Sequence, residues 1–437
     1  MLAMMTQAGT LPSAGDEAPR GKDAAIDDRA ARQVYLDTIG LTRGDPFALP
    51  VNEQELEFFP PAAPSDARQP SFFDLVIPPP LSGLPHMSVD ESLKLLREPR
   101  TNLIYGVPGS GKTTLRWALD ALLRQKPDRT LSVTYCSFPD QFEADNHWQA
   151  IAQELAVDLF VQIVEQIESS TRPTPDQIAA LRTQIVVGDL TRLIDRILGD
   201  PAPSSLWGLG DYWPSVNRST VRRVSSSPAL VELLQLSRPP RDYLLMPRTG
   251  REALIVGLEA AQLWGFDRVL VLVDGVDTPG HDQRSMQALI QPLIDALPDW
   301  EAHQMIFKFF LPRELQEPIV PMLQRVASRL TSPPLESIIG PWDDASLRRL
   351  LAQRFRAGGS RRVSFEAGPE LAGRLDDLLI KSAQGLPRRL LQLASRLIDQ
   401  HAARDPHNRS FSLDDWNYMR SRWPTNDPPA PLLPSDL

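Results

Sequence analysis

The chain has 437 residues, 42% of them hydrophobic and 23% charged, with a formal net charge of -9. That composition fits a globular protein of two or three domains with a sizeable core, and its acidic balance argues against a general nucleic-acid or membrane-surface binder. The single cysteine, Cys136, excludes an internal disulfide and a cysteine-built zinc site and fits a reducing compartment. No apolar run reaches the ~18–20 residues of a membrane span, and the first residues lack the features of a signal peptide, so a cytoplasmic protein is expected.

Residues 1–34 are mostly small, polar and charged and read as disordered. Residues 35–85 are rich in proline and aromatics, as in "FFPPAAP" and "SFFDLVIPPP". An ordered but irregular arm lying on the core is expected there. A disordered linker is the alternative, against which Phe58, Phe59, Phe72 and Phe73 argue, because linkers seldom expose so many aromatics.

Residues 86–340 carry five apolar runs that read as buried strands: Asn102–Tyr105, Leu131–Cys136, Arg268–Asp274, Met305–Leu311 and Leu335–Ile339. Helical patterns separate them, so the fold class is α/β, a parallel sheet covered by helices on both faces. A helical insertion spans 138–247. Ile151, Leu155, Leu159, Ile163 and Ile167 recur every fourth residue and mark one helix face. A second helix is expected over Asp176–Leu198. The loop "LWGLGDYWP" follows, where Trp207 and Trp213 form either a partner surface or the filling of an irregular loop. Residues 341–423 are helical throughout and read as a bundle of about four helices, followed by a free tail over 424–437.

The stretch "GVPGSGKTT" joins the first strand to a helix and fits G-x-x-x-x-G-K-[ST]. Gly106, Gly109 and Gly111, with Pro108 and Ser110 between them, let backbone N–H groups turn inward around a phosphate chain. The helix that starts near Lys112 points its positive dipole end at that chain. Lys112 reaches the outer phosphates, Thr113 offers a hydroxyl to Mg²⁺, and Thr114 continues the first turn. "RVLVLVDGVDT" is an apolar strand ending in Asp274, with Asp277 and Thr278 just beyond. A carboxylate there can hold Mg²⁺ through water, which assigns Thr113 and Asp274 to the metal. An extra strand lies in sequence between the two motifs, so the expected sheet order is 5-1-4-3-2, with a lid of helices after it.

Two arginines are candidates for sensing the nucleotide. Arg313 follows the strand "MIFKFFLP", whose C-terminal end should face the ligand; a plain surface charge is the alternative. Lys308, mid-strand, reads as a snorkelling or edge residue. Arg388 stands in "QGLPRR", in the first turn of a helix, where the dipole disfavours a cation unless an anion faces it. A solvated arginine is the alternative.

These residues together resemble the AAA+/STAND branch of P-loop NTPases, over Leu103 to about His401. The resemblance rests on "GVPGSGKTT", "DGVD", "FFLPR" and "GLPR". It implies a Mg²⁺-dependent ATPase that acts as a switch, with Asp277, Asp274 and Arg313 as catalytic residues and Arg388 at the nucleotide. It also implies protein partners and leaves a homo-oligomer open. Thr278 stands where the family pattern has glutamate, so slow turnover is expected, with Asp277 left to orient water. Competing readings are a ring ATPase that remodels protein or DNA complexes, and a nucleotide-bound scaffold without meaningful turnover. The C-terminal region is nearly charge-balanced, a weak footprint for DNA.

Overall fold

Short apolar runs make stable parallel strands only where helices cover both of their faces. The computed structural model of the chain describes residues 22–42, 45–47, 77, 79, 81–82, 89–125, 129–138, 143–166, 172–199, 227–240, 249–278 and 281–422. Its strands are β1 (Leu81–Ser82), β2 (Asn102–Gly106), β3 (Thr130–Tyr135), β4 (Arg268–Val273), β5 (Met305–Pro312) and β6 (Leu335–Ile339). They form one sheet in the order β1-β6-β2-β5-β4-β3. The five long strands are parallel and, counted from β2, lie 5-1-4-3-2. The sheet departs from the sequence expectation in one detail. β1 pairs antiparallel with β6 at the edge, Leu81 opposite Ile339. Two residues amid prolines carry no strand periodicity, so this pairing is set by the neighbour alone.

Alternation along the strands sorts the core into two layers. Leu103, Tyr105, Val271, Val273, Phe307 and Phe309 face one way, into a layer with the helices Ala144–Gln166, Gly250–Leu263, Gln283–Asp295 and Gln316–Val326. Ile104, Leu270, Leu272, Ile306 and Phe310 face the other way. They meet Leu115, Ala118, Leu119 and Leu123 of the helix Lys112–Gln125.

Lys308 belongs to this second layer, which corrects its reading as a snorkelling or edge residue. β5 lies between β2 and β4, and Lys308 is fully buried. Its Nζ donates to the carbonyls of Glu98 (2.8 Å) and Arg100 (2.7 Å) and to Asn102 Oδ1. Burial pushes its pKa down to about 7. The ammonium thus ties the central strand to the turn that enters β2.

The insertion has a structural task that periodicity cannot reveal. β3 is the free edge of the parallel sheet, and an uncovered edge presents unpaired backbone groups. The helix Ala144–Gln166 lies along it and substitutes side chains for a strand. Gln162 Oε1 accepts from Ser132 N–H (3.3 Å), and Gln162 Nε2 donates to Ser132 O (2.7 Å). Asp158 Oδ2 accepts from Thr134 N–H (2.9 Å). Asp158 is fully buried against Arg124, and burial raises its pKa to about 8. Ile151, Leu155, Leu159 and Ile163 are buried as the four-residue spacing requires, while Ile167, Trp207 and Trp213 lie outside the described residues.

The helix expected over Asp176–Leu198 is two helices, Pro175–Val187 and Thr191–Gly199. Asp189 takes φ 53, and Leu190 N–H returns to Ile185 O (2.8 Å). That left-handed turn ends the first helix and lets Leu190, Leu193 and Ile194 turn into the core.

The helices Asp344–Ala357, Leu375–Ala383, Pro387–Arg404 and Leu413–Ser421 surround a separate core that includes Leu351, Phe355, Leu390, Leu397 and Trp416. A fifth helix, Lys22–Thr38, joins them and corrects the disorder reading for residues 22–34, while residues 1–21 lie outside the described residues. Arg32 bonds Asp45 (2.7 Å), Asp399 and Ser395 O (2.9 Å), and Tyr35 and Leu36 are buried. The partners that order this helix come from the other end of the chain, beyond the reach of local pattern. The arm through Phe47 therefore packs on the helical bundle and not on the sheet. Phe58, Phe59, Phe72 and Phe73 lie outside the described residues.

Gln162→Leu removes both bonds to Ser132 at similar volume and strands a buried N–H and C=O on the edge strand. A loss of about 1–3 kcal/mol per unsatisfied group is expected, measured by urea unfolding. An unchanged unfolding midpoint would mean that the edge is not held by this side chain.

Candidate functional site

In a parallel sheet all the C-terminal strand ends share one side, so the residues just past β2, β4 and β5 converge there. Past β2 runs Gly106–Ser110, with Gly109 at φ 81 and Gly111 at φ 109. These left-handed values suit glycine, and they turn the chain tightly enough for the helix to begin at Lys112. Space also demands glycine at 106. A Cβ there would lie 2.5 Å from Ser110 Oγ and 3.2 Å from Lys112 Cγ.

The first turn of a helix has N–H groups without carbonyl partners. Here the N–H groups of Gly111, Lys112, Thr113 and Thr114 have no backbone acceptor among the described residues. Ser110 is buried, and its Oγ has no partner either. A cluster of unused donors beside a lysine is an anion cradle.

Lys112 is only 6% exposed. Its Nζ donates to Gly106 O (3.0 Å) and pairs with Asp277 Oδ2 (3.1 Å). Asp277 belongs to the turn after β4. One helical turn beyond Lys112, Arg116 faces the same way. Its Nε donates to Asp274 Oδ2 (3.1 Å), with both side chains 4% exposed. Asp274 Oδ1 accepts the N–H of Gly275 (2.9 Å). Arg116 Nη1 also reaches Thr134 Oγ1 (3.3 Å) on β3. Two cations from one helix thus pair with two carboxylates from one turn, and of the two pairs Arg116–Asp274 is buried on both sides while Asp277 is half-buried. Thr278, beside Asp277, donates its hydroxyl to Gly275 O (2.5 Å).

The residues singled out by sequence fall into three groups. Gly106, Pro108, Gly109, Ser110, Gly111, Lys112, Thr113 and Thr114 form one continuous loop and helix start, and Asp274 and Asp277 meet that helix through Arg116 and Lys112. Arg388 approaches by its backbone. Its N–H points at Gly109 O (3.5 Å), and its Cβ would lie 3.3 Å from a Cβ on Gly109, while the side chain is exposed. Arg313 is exposed in the short turn Arg313–Leu315 past β5, and among the described residues no bond joins it to the lysine.

Three contributors escape sequence reasoning. Arg116 was legible only as a position four residues after Lys112. Trp342, at the start of the helical region, is buried and donates Nε1–H to Ser110 O (3.0 Å). Pro79 packs on Gly111, where an added Cβ would lie 3.5 Å from it. Ile77, next to it in the arm, packs into the helical bundle.

The donors fit a phosphate chain: unused N–H groups, an orphaned hydroxyl and a buried ammonium. At Asp274, the carboxylate expected to hold a metal through water, the structure places a guanidinium in contact. Each carboxylate oxygen already accepts a bond, and the guanidinium balances the charge. Neither a protein-family model nor a curated protein sequence matches this chain. No helix among the described residues is long and apolar enough to cross a membrane.

The helical bundle reaches the loop beside a glycine turn. Gly385 has φ 75, and its carbonyl accepts Trp342 N–H (2.9 Å). A Cβ there would lie 2.8 Å from Pro341 Cβ. Gly385→Ala is expected to cost about 1–3 kcal/mol in urea unfolding, from strain at a left-handed position. A neutral result would show that this junction relaxes freely.

Proposed function

We propose that the chain is an ATP-binding conformational switch of the AAA+/STAND type, with slow hydrolysis and protein partners. One observation carries the reading: the helical bundle holds the anion-cradling loop from outside. Trp342 Nε1–H bonds Ser110 O, and Arg388 N–H faces Gly109 O. What the loop binds therefore bears on where the bundle sits, as a switch requires.

In this reading the N–H groups of Gly111–Thr114 and Ser110 Oγ hold the phosphates. Lys112 exchanges Asp277 for a phosphate oxygen. That exchange frees the Asp277 carboxylate to orient a water at the terminal phosphate. Thr278 supplies little as a base, because a hydroxyl is neutral at ordinary pH and its proton is already bonded to Gly275 O. A magnesium ion, where bound, supplies charge neutralisation on the phosphates, and Thr113 is the hydroxyl placed to meet it. A scaffold that holds nucleotide without turnover is the second reading. It is favoured by the pairing of both carboxylates with cations.

Lys112→Ala should weaken ATP binding by at least ~10-fold, since a charged hydrogen bond contributes roughly 1.5–3 kcal/mol. Isothermal calorimetry on the folded variant measures it, and equal affinity would remove the loop from the site.

Wild-type turnover should stay below roughly 0.1 s⁻¹. That follows from a typical rate of ~10 s⁻¹ reduced by the loss of good water positioning, about 10²-fold or more. Thr278→Glu should raise it in a steady-state phosphate-release assay. Several turnovers per second from the purified wild type would refute the switch, and complete absence of turnover would favour the scaffold.

A further inference from the structure

The geometry points to a triphosphate site whose affinity does not depend on a divalent metal, with Arg116 as the residue that makes it so. The inference rests on the nucleotide reading of the loop and concerns what stands opposite Asp274. A nucleotide site that recruits a dication through a strand-end carboxylate needs that carboxylate available. Asp274 is instead paired with a cation. Arg116 Nε lies 3.1 Å from Oδ2, Gly275 N–H lies 2.9 Å from Oδ1, and the side chain is 4% exposed.

Arg116 is itself fixed in place. Its Nη1 bonds Thr134 Oγ1, and its guanidinium lies 5.8 Å from the Trp117 ring centroid. Arginine stays protonated at every accessible pH, so this charge cannot be shed. A dication brought to Asp274 would sit beside a guanidinium and be repelled, with little water to screen the two.

Arg116 thus neutralises Asp274, the task a metal would otherwise perform. With Asp274 balanced, the charge of Lys112 and the helix N-terminus are left for the phosphates once Asp277 is displaced. The triphosphate binds to a site that is already electrostatically complete. The specificity that follows is for the nucleotide itself, with or without its magnesium.

The test is calorimetry of ATP on the full chain, in excess magnesium and in excess EDTA, for wild type, Arg116→Met and Arg116→Lys. The wild-type affinity should agree between the two buffers within ~5-fold. Arg116→Met exposes the Asp274 charge, so it should bind ATP more weakly in EDTA than in magnesium by more than the wild type does. Arg116→Lys should resemble the wild type. A larger wild-type difference between buffers overturns the inference while leaving the nucleotide reading standing, and it needs no variant to fold. No ATP binding in either buffer overturns both. A folded Arg116→Met with the wild-type buffer dependence overturns the role given to Arg116.

Discussion

A lysine and an arginine one helical turn apart, each paired with its own aspartate, set the conditions for the rest of the site. Charges this far out of water persist only when paired and hydrogen-bonded. Lys112 with Asp277 and Arg116 with Asp274 meet that demand between one helix and one turn. The two pairs differ in what they permit. Lys112 also bonds Gly106 O, beside the unused N–H groups, so an anion arriving there competes directly for it. Arg116 points away toward β3, where its guanidinium also bonds Thr134. One pair is therefore exchangeable and the other structural, although both look alike as salt bridges.

That arrangement depends on an accurately placed sheet. Asp274 ends β4 and the loop leaves β2, with β5 between them. Any slip of β4 against β5 would separate Asp274 from Arg116. Two buried devices resist it. Lys308 ties β5 to the turn before β2, and the helix Ala144–Gln166 closes the β3 edge through Gln162 and Asp158. The second device gives the insertion a reason to exist that is independent of any ligand. It replaces a missing strand with side-chain donors and acceptors, and it also keeps the edge from pairing with another chain.

The two cores meet at the loop. The bundle contributes Trp342 and the first turn of Pro387–Arg404, while the arm contributes Pro79 over Gly111. The arm is continuous with both sides: Ile77 packs in the bundle core and Leu81 pairs with β6 at the sheet edge. A displacement of the bundle would strain the Ile77–Leu81 segment as well as the Trp342 bond. Motion at the bundle is thereby linked to the sheet by two routes, one through the loop backbone and one through the arm.

The sequence by itself determined the five parallel strands, the helix that follows β2 and the glycine-rich turn between them. Those features are local: short continuous apolar runs, a helix start and a cluster of glycines all act within a few residues. It also placed Asp274 and Asp277 after an apolar strand. Only the tertiary structure decided what those carboxylates face, because Arg116 and Asp274 are brought together by the sheet order and not by spacing. The same holds for β1, which becomes a strand because β6 offers it an edge, and for Lys22–Thr38, whose helix is ordered by Asp399 and Ser395. Lys308 was misread because a charged residue in a strand is more often at an edge. Two carbonyls of the turn before β2 and Asn102 at the start of β2 make the centre of the sheet tolerable for it. Where a residue's partner lies far along the chain, its environment is a property of the packed molecule, and local pattern carries no record of it.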